Sequence, residues 1–171
     1  MWCQIRRILS WLLLLGTLVL LILMGFGAIA VSPAAASIRQ LEEAPGQFLL
    51  QSRHSLPDSQ GHAWQAIFFK RSYPDGSTRV NLRLAGFPEM AEIVHPQPLT
   101  LVTEAGEIFT ASDAFAEQAP AANVGQYDLK PILARLPAAP ATLSLVAKPD
   151  RFVQIAVPAE VILEWQLVSA N

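Results

Sequence analysis

The chain has 171 residues, of which 52% are hydrophobic, with 12 basic and 14 acidic side chains, three histidines and one cysteine. A formal charge of −2 leaves no basic footprint for nucleic acid, so none is expected as a partner. A lone cysteine excludes an intrachain disulfide framework and the multi-cysteine metal sites.

Residues 1–36 are ordered as a secretory leader. Arg6 and Arg7 precede the uncharged span Ile8–Val31, and Ser32-Pro33-Ala34-Ala35-Ala36 supplies a helix stop and a small-x-small site. The span's 24 residues exceed the roughly 7–15 of a signal's apolar region and reach the about 20 that cross a bilayer. The segment is therefore a cleaved signal peptide or a retained hydrophobic helix, with the arginines on the cytoplasmic side in both cases. Gly16, Gly25, Gly27 and Pro33 loosen the segment's end and favour cleavage. No fuller twin-arginine motif surrounds Arg6-Arg7, and Cys3 precedes the apolar span where a lipoprotein cysteine would follow it. The remainder, Ser37–Asn171, is expected as one exported domain of 135 residues. It has no cysteine and carries ten basic against 14 acidic groups. That length suffices for a core held by packing alone.

Along this domain, Ser37–Glu43 suits a short capped helix ended by Pro45-Gly46. Gln47–Leu56 is a first strand, followed by the turn Pro57–Gly61. His62–Arg71 is a second strand, rich in aromatic and β-branched residues. Tyr73-Pro74-Asp75-Gly76 is a tight turn with a left-handed glycine, and Thr78–Ala85 alternates cleanly as a third strand. Leu99–Thr103 and Glu107–Ala111 form a second hairpin around Glu104-Ala105-Gly106, and Ser112–Asn123 is a loop. Asp128 caps a short helix whose Leu129, Ile132, Leu133 and Leu136 make one stripe. Thr142–Ala147 and Phe152–Val157 are further strands. Pro158–Val168 fits a helix on Val161, Ile162, Trp165 and Val168, and a strand on Val161, Leu163, Trp165 and Leu167; helix is the choice. These elements predict a mainly β protein, an antiparallel β-sandwich of immunoglobulin-like architecture with one or two short helices.

The Pro74-Asp75-Gly76 turn also predicts a register. With Tyr73 opposite Ser77, Phe68 faces Leu82 and Ala66 faces Leu84 on a core side shared with Trp64 and Val80. The other side pairs Arg71 with Arg79, Phe69 with Asn81 and Ile67 with Arg83, and the first strand adds Arg53. Arg53, Ile67, Phe69, Arg71, Arg79 and Arg83 thus form the candidate interaction surface of an otherwise acidic domain. Like charges placed opposite one another call either for counter-charges or for an anionic partner.

His54, His62 and His95 lack H-x-H or H-E-x-x-H spacing and read as surface or core-edge residues. No G-x-S-x-G elbow, phosphate loop or paired-carboxylate signature is present. Glu42-Glu43 and Glu160/Glu164 read as wet helix faces, and Trp64 and Trp165 as core anchors. No catalytic, cofactor or metal site is expected, and an enzyme is the less favoured reading.

The stretches Leu41-Glu42-Glu43-Ala44-Pro45-Gly46-Gln47, Tyr127-Asp128-Leu129-Lys130-Pro131, Val157-Pro158 and Glu164-Trp165, behind a leader, resemble a cyanobacterial family of uncharacterised exported proteins, a domain of unknown function. The resemblance spans most of Ser37–Val168 and implies a periplasmic or thylakoid-lumen destination, with no catalytic residue to carry over. The expected role is a non-enzymatic binding or assembly factor near a membrane, with a protein partner or the membrane surface as its target. The alternative is a small-ligand binder or hydrolase with a pocket beside the 112–123 loop.

Overall fold

Gly76, at φ +80°, closes the Tyr73–Ser77 turn, where a side chain would be strained, and the flanking segments pair in the register that this turn dictates. A computed structural model describes residues 38–171 except 89, 90, 116, 149 and 150, together with residues 2, 6, 11 and 14–17. The chain divides into Met1–Ala35 and Ala36–Asn171, and the second unit holds the sheet and core. The expected leader, with its apolar span Ile8–Val31 and the cleavage site anticipated after it, falls mostly outside the described residues. Among the described residues, no helix is long and apolar enough to cross a membrane.

Among the described residues, ten strands run through this unit. They are β1 Arg39–Ala44, β2 Gln47–Pro57, β3 Ala63–Ser72, β4 Thr78–Ala85 and β5 Glu92–Ile93. They continue as β6 Leu99–Thr103, β7 Ile108–Asp113, β8 Val124–Asp128, β9 Ala141–Lys148 and β10 Arg151–Val157. Two short helices, α1 Lys130–Leu133 and α2 Ala159–Ala170, complete the described elements of the unit. All described pairings are antiparallel, in the order β1-β2-β3-β4-β8-β7-β6-β9-β10, with β5 on β9.

The domain is mainly β, as its alternation predicts, but the strands make one open sheet where two were expected. The link is β7: Ile108–Ala111 pairs with β6, and Ser112–Asp113 runs on to pair with β8. No break therefore separates a first sheet from a second. The sheet curls instead, so that inner side chains from both halves meet in one core, and Asp58, just past β2, bridges Ile155 of β10.

The 3.6-residue reading holds for the C-terminal segment. Pro158, at φ −64°, suits a helix entry, and its carbonyl accepts from the Val161 and Ile162 amides. Val161, Ile162, Trp165 and Val168 are buried, whereas Leu163 and Leu167 stay 47% and 57% exposed. Trp165 stacks on Phe68 of β3, with centroids 5.5 Å apart and planes at 14°, and so pins α2 to the sheet. Leu129, Ile132, Leu133 and Leu136 are likewise buried around α1.

Three local expectations are corrected. Residues 39–44 form strand β1, not a helix, because edge pairing with β2 across the Pro45-Gly46 turn takes up their backbone groups. The 112–123 segment begins as strand, since Ser112 and Asp113 still pair with β8. Strand β8 itself went unforeseen, because Gly125 weakens the local strand signal; that glycine is needed, for a Cβ there would lie 2.6 Å from the Tyr127 hydroxyl.

Candidate functional site

Register alone arranges the outer surface of the sheet into rows. In the first, Leu49, Arg71 and Arg79 stand side by side. Lys130, two residues beyond the Asn81–Asp128 pair, reaches the same end of β4 and donates to the Thr78 carbonyl and hydroxyl at 3.0 and 3.1 Å. The second row runs Arg39, Gln51, Phe69, Asn81, Asp128 and Ser112. The third runs Arg53, Ile67, Arg83 and Gln126. All six residues of the candidate surface therefore share one side of the sheet.

Their surroundings differ. Phe69 is buried, with the guanidinium carbons of Arg71 and Arg83 5.5 and 5.7 Å from its ring centre. Arg83 also lies 5.6 Å from the Phe115 ring and donates through Nε and Nη2 to Gln126 Oε1, at 3.1 and 2.8 Å. Burial first, then the charge of Arg71, push the Arg83 pKa below its ordinary value. Arg79 sits 5.6 Å over Tyr73. Such cation–π contacts contribute about 0.5–1 kcal/mol each at exposed positions, and they hold the guanidinium groups in place. Ile67 is half-buried, and Arg53 is exposed.

The counter-charge that the like-charge pair calls for comes from β1. Glu43 receives Arg71 Nε at 2.6 Å and Nη2 at 2.9 Å, and Gln47 Nε2 at 2.7 Å. The hydrogen bond from Arg71 holds the Glu43 carboxyl below its usual range, and the same bond raises the Arg71 pKa. Glu43 thus belongs to a strand facing Arg71, and not to the wet side of a helix.

Next to this pair the surface sinks into a cleft of about 340 Å³. Arg71 and Arg79, paired across β3 and β4, line one wall, and Lys130 reaches that wall through its bonds to Thr78. Buried Asn81 lies between that wall and Ser112, Ala114, Gln126 and Asp128 opposite. Of the six candidate residues only Arg71 and Arg79 line it; Arg53, Ile67, Phe69 and Arg83 lie outside its wall. A larger hollow of about 550 Å³ on β6, β9 and β10 is floored mainly by Thr142, Ser144, Gln154 and Ala156, and its one charged wall residue is Glu104.

The histidines lie elsewhere, each beside a carboxylate. His54 Nε2 is 3.4 Å from Glu164 Oε2, so Glu164 turns inward and only Glu160 keeps the wet face once read for both. His62 Nδ1 is 3.2 Å from Asp58 Oδ2, and His95 Nδ1 is 2.7 Å from Asp113 Oδ2. Asp58 also accepts the amides of Gln60 and His62 and the Trp64 indole N–H. Burial alone would raise the Asp58 pKa, but the bonds from His62, Trp64 and Gln60 outweigh it and the carboxyl lies below its usual value. Asp113 is held by the Phe115 and Gln97 amides at 2.8 and 3.3 Å. These are scattered structural pairs; among the described residues no three His, Cys, Asp or Glu groups converge as a metal site.

A family model described as Protein of unknown function (DUF3122) matches residues 36–168. The chain belongs to that family. No curated protein and no solved structure matches it. In this member of the DUF3122 family, sequence reasoning located the arginines but missed other residues that line the cleft. Gln126, Asp128 and Lys130 come from β8 and α1, and only their alternation with Tyr127 and Leu129 hinted at a strand face.

Proposed function

We propose that the chain is an exported, non-enzymatic binding or assembly factor that docks beside a membrane, in the periplasm or thylakoid lumen of a cyanobacterium, through the outer surface of β2, β3, β4 and β8. The observation that carries this reading is the set of arginines fixed over aromatic rings. Arg71, Arg79 and Arg83 are held against Phe69, Tyr73 and Phe115, so little side-chain freedom remains to be lost on contact. A positive patch on a domain of net negative charge gives orientation and steering toward an anionic surface. The leader formed by Arg6-Arg7 and Ile8–Val31 supports the address.

The test is capture from native membranes with the full chain, comparing the wild type with the Arg79→Glu/Arg83→Glu pair. The expected result is loss of membrane or partner association by the double variant. Unchanged association overturns the proposal.

The small-ligand alternative draws on one observation, that Ser112 and Ala114 of the 112–123 region line the cleft. Hydrolysis lacks support there, because none of the three histidines lines that cleft to act as a base. Binding without chemistry is the part of this alternative that the cleft favours.

A further inference from the structure

The cleft is divided chemically. Its cationic wall is Arg71, Arg79 and Lys130; Glu43 uses two of the five N–H groups of Arg71, and Arg79 stacks on Tyr73 with its charge turned to the same side. The Arg71–Arg79 pairing is a like-charge contact across two strands, and Glu43 offsets only the Arg71 side of it. The facing wall is uncharged apart from Asp128. Arg83 occupies Gln126 Oε1 with two N–H groups, which leaves the Gln126 amide nitrogen as a donor. Asp128 Oδ1 accepts the Lys130 amide at 3.0 Å, leaving Oδ2 to accept from a hydroxyl. Buried Asn81, in register with Asp128, carries both a donor and an acceptor between the walls.

We infer that this cleft is a binding site for a phosphate or sulfate monoester of a small polyhydroxy compound. The oxyanion lies against Arg71, Arg79 and Lys130, where guanidinium groups suit its geometry. The hydroxyl-bearing portion lies against Asp128, Asn81 and the Gln126 amide. A carboxylate opposite three cations is the discriminating element. It penalises a bare multivalent anion by repulsion and favours an ester whose hydroxyl donates to it. The volume, about 340 Å³, suits a single headgroup-sized molecule. The same chemistry occurs on a free metabolite and on a lipid headgroup, so the site deepens the docking reading of this surface without depending on a bilayer.

The experiment is calorimetric titration of the full chain in detergent with glycerol 3-phosphate, inorganic phosphate and glycerol at fixed ionic strength, beside flotation with vesicles of phosphatidylcholine with or without phosphatidylglycerol. Glycerol 3-phosphate is expected to bind, and glycerol is not. Arg79→Gln and Lys130→Gln, both at exposed positions, are each expected to weaken binding about tenfold, while Arg53→Gln on the same surface leaves it unchanged. Asp128→Asn, which keeps an oxygen for the Lys130 amide, is expected to weaken glycerol 3-phosphate several-fold and to strengthen inorganic phosphate. Equal loss from Arg53→Gln, or a parallel response of both ligands to Asp128→Asn, overturns the site. Binding of the soluble ester without flotation leaves the site standing and removes the lipid source; flotation that Arg53→Gln weakens, with no ester binding, leaves docking standing and removes the site.

Discussion

Glu43 grips Arg71 through two hydrogen bonds, 2.6 and 2.9 Å long, and makes no such bond to Arg79 directly across the β3–β4 pair. One arginine of the like-charge pair is thus neutralised from the edge strand, and the other keeps its charge for the cleft. The asymmetry follows the strand order β1-β2-β3-β4: Arg71 stands on β3, one strand nearer to β1 than Arg79 on β4.

Replacing Glu43 with Gln is expected to cost little stability and to alter binding. The pair is partly exposed, with 29% and 24% of the two side chains accessible, so about 0.2–1 kcal/mol is the expected loss in a urea titration. Freed from its carboxylate, Arg71 leaves the surface one charge more positive, so affinity for an anionic ligand is expected to rise. A fall in affinity with stability unchanged would show that Glu43 orients Arg71 productively.

Asp58 sets an acid limit on the fold. Its folded-state pKa lies below the ordinary value, so its contribution is fully present above the unfolded pKa of about 3.9 and is lost as pH falls through the folded value. Asp58→Asn removes that dependence. It also weakens a buried acceptor of the Gln60, His62 and Trp64 N–H groups, for an expected cost of about 1–3 kcal/mol at neutral pH. Urea midpoints measured from pH 7 downward check both parts. The wild-type and variant curves should converge in acid; parallel curves would show that Asp58 does not carry the dependence.

Much of this surface was legible because one turn determines one register. Pro74-Asp75-Gly76 set every β3–β4 pair, including Arg71–Arg79 and Phe68–Leu82. The cleft depended on pairing Arg83 with Gln126, residues 43 positions apart, for which no local pattern exists. Residues 39–44 were misread for a related reason: Leu41-Glu42-Glu43 has good helix formers, and tertiary edge pairing overrode that propensity. The two-sheet expectation failed at β7, where a short strand changes partner at Ser112, a feature that side-chain alternation does not encode.

The stack of Phe68 on Trp165 makes α2 integral to the core. Trp165→Ala removes a fully buried indole, with an expected loss of about 3–5 kcal/mol. Leu163→Ala, on the exposed side of the same helix, is expected to stay within about 0.5 kcal/mol. Chemical denaturation of the two variants checks the contrast, and similar losses would mean that α2 turns a different side to the sheet.

Gly125 and Tyr127 form the tightest constraint on the cleft's far wall. The Tyr127 ring crosses the space a Cβ at position 125 would fill, 2.6 Å from the hydroxyl oxygen and 3.0 Å from two ring carbons. Tyr127 is buried in the core and its hydroxyl pKa is raised by burial first and by Asp113 second, so the ring has little room to retreat. Gly125→Ala is therefore expected to destabilise by about 1–3 kcal/mol, the usual cost of overpacking. Because Gln126 and Asp128 flank Tyr127 on the same strand, a shift of β8 should also weaken anion binding in the cleft. Adding Tyr127→Phe to Gly125→Ala removes the closest clashing atom and should recover part of the stability. No recovery in the double variant would place the strain in the backbone of β8 and not in the contact with the ring.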